Sequence, residues 1–482
     1  MRCKKCIKSW CYRLERLLSG CCDVVLLTTA SKTMQLTLSQ FSPCADGITP
    51  DTACFQRALD LLAERGGGTL TVGPGRYRVG GLRLRSHCRL HLASGAILII
   101  SDDYHDFCPV QSRAECSDRA FLYAAGASDI AVTGDGKICG NSASWFAASA
   151  DEMGYRQPAA QRPRIIVMEG CQQVRLTDFT IEDAPMWTIH LVACQEIKVQ
   201  RVTVRNDLCL ANTDALDIDC CQRAQISDCD FSAADDGICL KTARHTPELQ
   251  QPARQIVINN CLIRSKSCAI KIGTETAFDI EDVTVSNCVI YQSNRGIGLV
   301  SRDGGNLRRM IFSNIVFDCH TAHPCHWGKA DPLYISVRYR DPAVEPGDVA
   351  MIQFHGLTGC AEGAVNFHSE PHGKIHHILV SDVQLRQTFS QSAEQGFYDI
   401  RPPCNPASPV GSGKDNAWAR NPLTQHIWGV EPYPAGLPAL YARGVVALRV
   451  RFCDFLRPQP LPDGWCPQHL WLDACEGVTV DE

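Results

Sequence analysis

No run of 18 apolar residues occurs anywhere in this sequence of 482 residues, so no segment is long enough to cross a membrane as a helix. There is also no long basic run, and the formal net charge is -5, which argues against a nucleic-acid partner. A good export signal is missing too. The short apolar run VVLLTTA follows the acidic Asp23 and the small or polar residues Ser19 to Cys22, and the basic part before it is long. The pattern of a folded protein begins at MQLTLSQF, so residues 1–33 read as an extension and Met34 as a candidate start. On that reading the expected location is the cytoplasm. Finally, no Ser or Cys is placed by the repeat described below against a His, which leaves no arrangement for a Ser or Cys nucleophile.

Cysteine, by contrast, is abundant, at 28 residues. A small secreted scaffold uses disulfides in place of a core, but a chain of this length needs no such substitute. Several cysteines stand inside short apolar strands, as in SDCDF, NNCLI and SNCVI. They read as buried thiols acting as small hydrophobes in a reducing compartment, with a disulfide framework as the alternative. Apolar content of 45% and charged content of 21% are those of an ordinary globular protein.

The first element is DTACFQRALDLLAERGGG, in which Phe55, Ala58, Leu59 and Leu62 recur at helical spacing and Gly66 to Gly68 end the helix. Everything after it reads as short strands, and the strands repeat. VRLTDFTI begins at 174, IKVQRVTV at 197, AQISDCDF at 224, IVINNCLI at 256, VTVSNCVI at 283 and MIFSNIVF at 310. Weaker echoes begin at 130, 378 and 448. Each unit carries a second strand further on: TIHLV, ALDID, GICLK, AIKIG and GIGLV. Such units cannot bury a face alone, whereas stacking them into a coil buries a continuous core. A sandwich needs no in-register repetition of turn residues, and a propeller needs longer blades. The fold class expected is all-β, a right-handed parallel β-helix, with the helix at 52–64 capping its open end. One such domain is expected over 34–482, with groove-forming insertions at about 140–170 and 386–445. Asn260, Asn287 and Asn314 share one repeat position, and Cys229, Cys261 and Cys288 another; both series read as structural ladders.

The register brings distant residues together. One column before the second strands is Trp187, Asp214, Asp236, Cys268 and Arg295; another, three positions on, is His190, Asp217, Cys239, Lys271 and Gly298. Asp214 and Asp236 then lie on adjacent coils, roughly 4.8 Å apart at strand spacing, with Asp235 beside them. Clustered carboxylates raise one another's pKa, so that one holds a proton while another is ionised. That is the acid and base pair of glycoside hydrolysis. Lys241, Lys271, Arg295 and Arg302, on the same or neighbouring coils, could balance the carboxylates and bind an anionic sugar. Two other readings stay open on chemistry alone. Asp214, Asp217, Asp235 and Asp236 could hold Ca²⁺, structurally or for a lyase, and a β-helix with this groove could be a non-catalytic glycan-binding adhesin or tail spike.

ANTDALDI, with Asn212, Thr213 and Asp214, and SAADDGICLK, with Asp235 and Asp236, resemble in order and spacing the Asn-Thr-Asp and Asp-Asp motifs of the polygalacturonase family, glycoside hydrolase family 28. The resemblance runs from the capping helix to about residue 320. It implies an inverting glycosidase of the polygalacturonase or rhamnogalacturonase kind, with no metal or cofactor. In it Asp235 would be the general acid, while Asp214 and Asp236 would hold and activate water. The substrate implied is an acidic or neutral plant-cell-wall oligosaccharide. A monomer is expected, and since a cytoplasmic hydrolase of this kind would meet short imported oligosaccharides, exo action is favoured, with the 386–445 insertion closing one end of the groove. Substrate contacts are expected from Lys271, Arg295, Arg302, Lys241, His190, Asn212 and Asp217, and from Trp327 in HWGKADPLYIS, whose ring could stack on a sugar. The chain departs from the family in two places. Ser267-Cys268-Ala269 stands where the family has Gly-His-Gly, and Gly298-Leu299-Val300 where it has Arg-Ile-Lys. The residues that normally read the substrate carboxylate are therefore missing.

Overall fold

A strand can wind into a coil only where the backbone bends, and the repeat places one bending residue at the same point of each turn. In the computed structural model, which describes residues 34–115, 117–392, 395–403 and 419–481, that point has positive φ at Asp178, Arg201, Asp228, Asn260, Asn287, Asn314, Gly356 and Asp382. Asn and Asp tolerate this left-handed conformation better than other residues with a Cβ. Their side chains also bond along the stack: Asn260 Nδ2 donates to Asp228 Oδ1 at 2.6 Å, Asn287 Nδ2 to Asn259 Oδ1 at 2.8 Å, and Asn314 Nδ2 to Asn287 Oδ1 at 3.5 Å.

The coils stack in parallel, in the register that the repeat predicts. Val174 pairs with Ile197, Ile197 with Ala224, Ala224 with Ile256, Ile256 with Val283 and Val283 with Met310. These strands form a 24-stranded sheet, while the second strands of each unit belong to a separate 13-stranded sheet. The architecture is a right-handed parallel β-helix. One coil escapes the sequence reading: Val349–Ala361 lies between Leu307–Cys319 and Ile375–Gln387, with Met310 paired to Ile352 and Ile352 to Ile378. A long loop separates it from the coil before, and glycine rather than asparagine occupies its bend, so the repeat signature is broken there.

Inward side chains make one core. Phe312, Phe354 and Phe367 stack with centroids 5.2 and 6.0 Å apart. Cys229, Cys261 and Cys288 are buried in a ladder, each sulfur 3.2–3.3 Å from a carbonyl two residues back. Cys171, Cys194 and Cys221 form a second ladder, one that the sequence reading passes over. All 21 described cysteines are free thiols. Helix α1, Thr52–Glu64, caps the core with Phe55, Ala58, Leu59 and Leu62 fully buried, as its spacing predicts. Gly68 then turns the chain under the cap at φ 156°, where a Cβ would come within 2.3 Å of Met34 O.

The 140–170 insertion forms a hairpin, Phe146–Ala150 against Arg156–Pro158. In the 386–445 insertion, Phe397–Asp399 pairs with Val430–Pro432. Residues 1–33 and 404–418, on which the readings of an N-terminal extension and of part of that insertion fall, lie outside the described residues. Among the described residues no helix is long and apolar enough to cross a membrane.

Candidate active site

The geometry of the carboxylate cluster follows from register. Leu216 pairs with Ile238, which sets Asp214 and Asp236, each two residues earlier, side by side on adjacent coils. Thr213 ties the two turns together: its Oγ1 donates to Leu210 O at 2.7 Å and accepts from Ala234 N at 3.4 Å. Asn206 holds the first turn from behind, donating to Thr213 O at 2.9 Å and Thr188 Oγ1 at 3.0 Å. Asn212, at φ 60°, accepts from Arg162 Nη2 at 2.9 Å and donates to Glu115 Oε1 at 3.0 Å. As a result Asp214, Asp235 and Asp236 each present an oxygen within 4.8 Å of the other two.

Three carboxylates this close, two of them buried and Asp235 half-buried, do not all ionise together. Burial, then the charges of Asp235, Asp217 and Asp236, push Asp214 well above the carboxylate range. Burial and the neighbouring Asp236 push Asp235 up to about 7. Asp236 is held differently. Ser267 Oγ donates to its Oδ1 at 2.9 Å, and Lys271 Nζ sits 2.6 Å from its Oδ2. Burial alone would discharge Lys271, but Asp236 outweighs it and keeps the ammonium charged. The site therefore holds two carboxyls poised to carry protons beside a carboxylate locked to a cation. The Oδ1 of Asp214 is buried with no hydrogen-bond partner, a place for a water or a substrate hydroxyl.

These groups face a cavity of about 440 Å³. Of the residues expected to touch substrate, Lys241, Lys271, Asn212 and Trp327 line it. Lys241 stands 3.7 Å over the Trp187 ring and 2.8 Å from Asp217 Oδ1, so Asp217 lies behind it as a counter-charge; burial raises Asp217 to about 6 despite that lysine. Cys239 and Cys268 are buried, Cys239 giving its thiol to Gly273 O at 3.0 Å; burial pushes the Cys268 thiol up to about 12, so it offers no base in place of the absent histidine.

The structure places three expected contacts elsewhere. Arg295 is buried against Asp331, 3.2 Å away, with its guanidinium 3.5 Å over the Tyr334 ring. Arg302 is fully buried and donates to Pro402 O at 2.5 Å, Ser301 O at 2.8 Å and Ser336 O at 2.9 Å, pinning the 395–403 segment to the solenoid. His190 is fully buried between Arg164 Nη1 at 2.7 Å and Asp219 Oδ2 at 3.3 Å. Burial holds its imidazole down at about 3. With His245, also 2.8 Å from Asp219 Oδ2, this group has the outline of a metal site. Arg164 can only donate, so His190 Nδ1 must accept and Nε2 must carry the proton directed at Asp219. The group is thus a filled hydrogen-bond chain, not an open ligand set.

Sequence reasoning missed Tyr155 and His326. Tyr155, on the 140–170 insertion, and His326, beside Trp327, both line the cavity, with Tyr155 Oη 2.8 Å from His326 Nδ1. Burial keeps this imidazole neutral, at about 3. The sequence marks the insertion as a groove wall, but nothing in its composition singles out Tyr155. Glu115, Arg113 and Glu275 also line the cavity, the first two from a hairpin ahead of the motifs.

Comparison with known proteins agrees with this construction. The sequence model of glycosyl hydrolases family 28 matches residues 103–392. A probable polygalacturonase of Vitis vinifera is 27% identical over 277 residues, covering 54% of this chain and 55% of its own length. The exo-poly-alpha-D-galacturonosidase of Dickeya chrysanthemi is 23% identical over 342 residues, 61% of this chain and 56% of its own. The chain thus spans a little over half the length of these two relatives. In fold it resembles the Yersinia enterocolitica family 28 exopolygalacturonase, with TM-score 0.69 at 17% identity over 93% of this chain and 78% of that one. It also resembles the exopolygalacturonase of Thermotoga maritima, with TM-score 0.62 at 21% identity over 74% and 87%. The match to the family takes in more than half of the sequence and all three clustered aspartates, and the chain belongs to glycosyl hydrolases family 28.

Proposed function

We propose that this protein hydrolyses glycosidic bonds in pectin-derived oligosaccharides containing uronic acid, acting from a chain end and inverting the anomeric carbon. The observation that carries the reading is the cluster of three close carboxylates, Asp214 and Asp236 buried and Asp235 half-buried, with divided protonation. Asp235, raised to about 7, protonates the glycosidic oxygen as the C–O bond breaks. Water held at the unpartnered Oδ1 of Asp214 attacks the anomeric carbon and passes its proton to Asp236, whose charge Lys271 keeps in place. The nearest oxygens, within 4.8 Å, are closer than the roughly 6.5–9.5 Å usual between an inverting acid and base, so the configuration of the first product, and not this spacing, decides between inversion and retention. Because both Asp236 oxygens are engaged by Ser267 and Lys271, the cluster is poorly suited to the Ca²⁺ that a lyase would use.

Relatives named polygalacturonase and exo-poly-alpha-D-galacturonosidase support the substrate class. Exo action is supported by a roof over the groove floor. Beyond Gly298 its column continues through Tyr334, Asn366 and Tyr441, all fully buried, with the insertion residue Tyr398 5.1 Å from Tyr441. Trigalacturonate is the test substrate. D235N, D214N and D236N should each lose at least about a hundredfold in kcat while their circular dichroism is unchanged. The first product should have the inverted anomeric configuration by proton NMR. Retention of configuration, or full activity in all three variants, would overturn the mechanism.

A further inference from the structure

Uronate binding needs a cation whose charge is not already spent, and the cavity's lining is unusual in this respect. Four basic side chains with a permanent charge line it: Arg113, Lys241, Lys271 and Arg340. Lys241 is paired with Asp217 at 2.8 Å and approaches Glu275 at 3.8 Å; Lys271 is paired with Asp236 at 2.6 Å. Arg340 lies 3.3 Å from Asp303 and 3.6 Å from Glu275, and donates to Thr274 O at 3.0 Å. Arg113 is exposed and is the one of the four with no ion pair or hydrogen bond through its side chain among the described residues. Asp236 and Glu275 line the same cavity and already hold the other three cations, so among the described residues this guanidinium is the permanent charge there left to meet an incoming carboxylate.

The strand that carries Arg113 is held rigidly. On Cys108–Ala114, Gln111 N and Ser112 N donate to the Glu169 carboxylate at 3.2 and 2.7 Å, while Ser112 O and Oγ accept from Arg164 at 2.6 and 3.2 Å. Two residues on from Arg113, Glu115 meets Asn212 at 3.0 Å, and so docks the hairpin on the turn that carries Asp214. The fork of an arginine matches a carboxylate through two parallel hydrogen bonds, and little is lost in ordering it when its backbone is already fixed.

We propose that Arg113 is the residue that reads the carboxylate of a uronic acid in this enzyme. It does so from the N-terminal coils, on the opposite side of the catalytic aspartates from Gly298-Leu299-Val300, where no charge remains. This inference rests on the proposed hydrolysis for its substrate class, but binding can be measured without turnover. Isothermal titration with D-galacturonate and with neutral D-galactose, on the wild-type chain and on R113A and R113K, separates the two questions. Wild type should prefer galacturonate by about tenfold; R113A should lose the preference and R113K keep part of it. With trigalacturonate, R113A should raise KM about tenfold and leave kcat within about threefold. A galacturonate preference intact in R113A, or absent in wild type, would overturn the assignment. If the preference depends on Arg113 but trigalacturonate is not cleaved, the hydrolytic reading falls and Arg113 stands.

Discussion

Asp235 is costly to the fold for the reason it is useful. In an unfolded chain its carboxyl titrates near 3.8, whereas burial and Asp236 raise it to about 7 in the native protein. Between those two values the unfolded chain has released its proton and the native state has not, so stability falls as pH rises through that window. D235N, which cannot ionise, should therefore melt above wild type at pH 8, with the difference shrinking towards pH 4; a constant difference across that range would contradict the raised pKa. In the proposed role of general acid the same group would set the activity profile. An acid that must be protonated in the free enzyme predicts that kcat/KM declines above about pH 7. A flat profile to pH 9 would remove Asp235 from that role.

Among elements, the bend of each coil shows why repeated asparagines were readable as a ladder before their conformation was known. Asn287 has φ 55° and donates to Asn259 at 2.8 Å. Alanine there would lose the bond, worth about 1 kcal/mol, and meet the left-handed penalty of about 1–2 kcal/mol. Glycine loses the bond without that clash. N287A should thus be less stable than N287G in urea unfolding, and equal stabilities would mean that the ladder bond alone matters. Register was equally legible, since partners in a parallel stack share a repeat position, as Cys268 and Arg295 do. The coil at 349–361 was not, because its signature depends on a residue that Gly356 replaces.

On the scale of the molecule, the roof over Tyr334, Asn366 and Tyr441 is the feature on which the proposed exo action rests. On the exo action proposed above, a groove stopped on that side would admit a chain end and each event would remove a small unit. Polygalacturonate digests should accordingly release reducing ends with little early loss of viscosity and a narrow range of short products. A rapid fall in viscosity with a ladder of long oligomers would show that the groove is open. Of the 21 described cysteines, all free thiols, most are buried along the stack.

Sequence by itself determined the solenoid, its register and the meeting of Asp214, Asp235 and Asp236, because in-register stacking turns an equal place in the repeat into adjacency in space. Only the tertiary structure decided which neighbours of that cluster face the cavity. Arg295 occupies the same column as Asp214 and Asp236, yet its charge is taken by Asp331 and the Tyr334 ring. Arg302 is spent on backbone carbonyls, and His190 lies behind Lys241 in a closed hydrogen-bond chain. In their place Arg113, Glu115, Tyr155 and His326 arrive from segments outside the repeat. A repeat fixes which coil a residue belongs to. It cannot state where an insertion lands, or which partner claims a charge once the chain has folded.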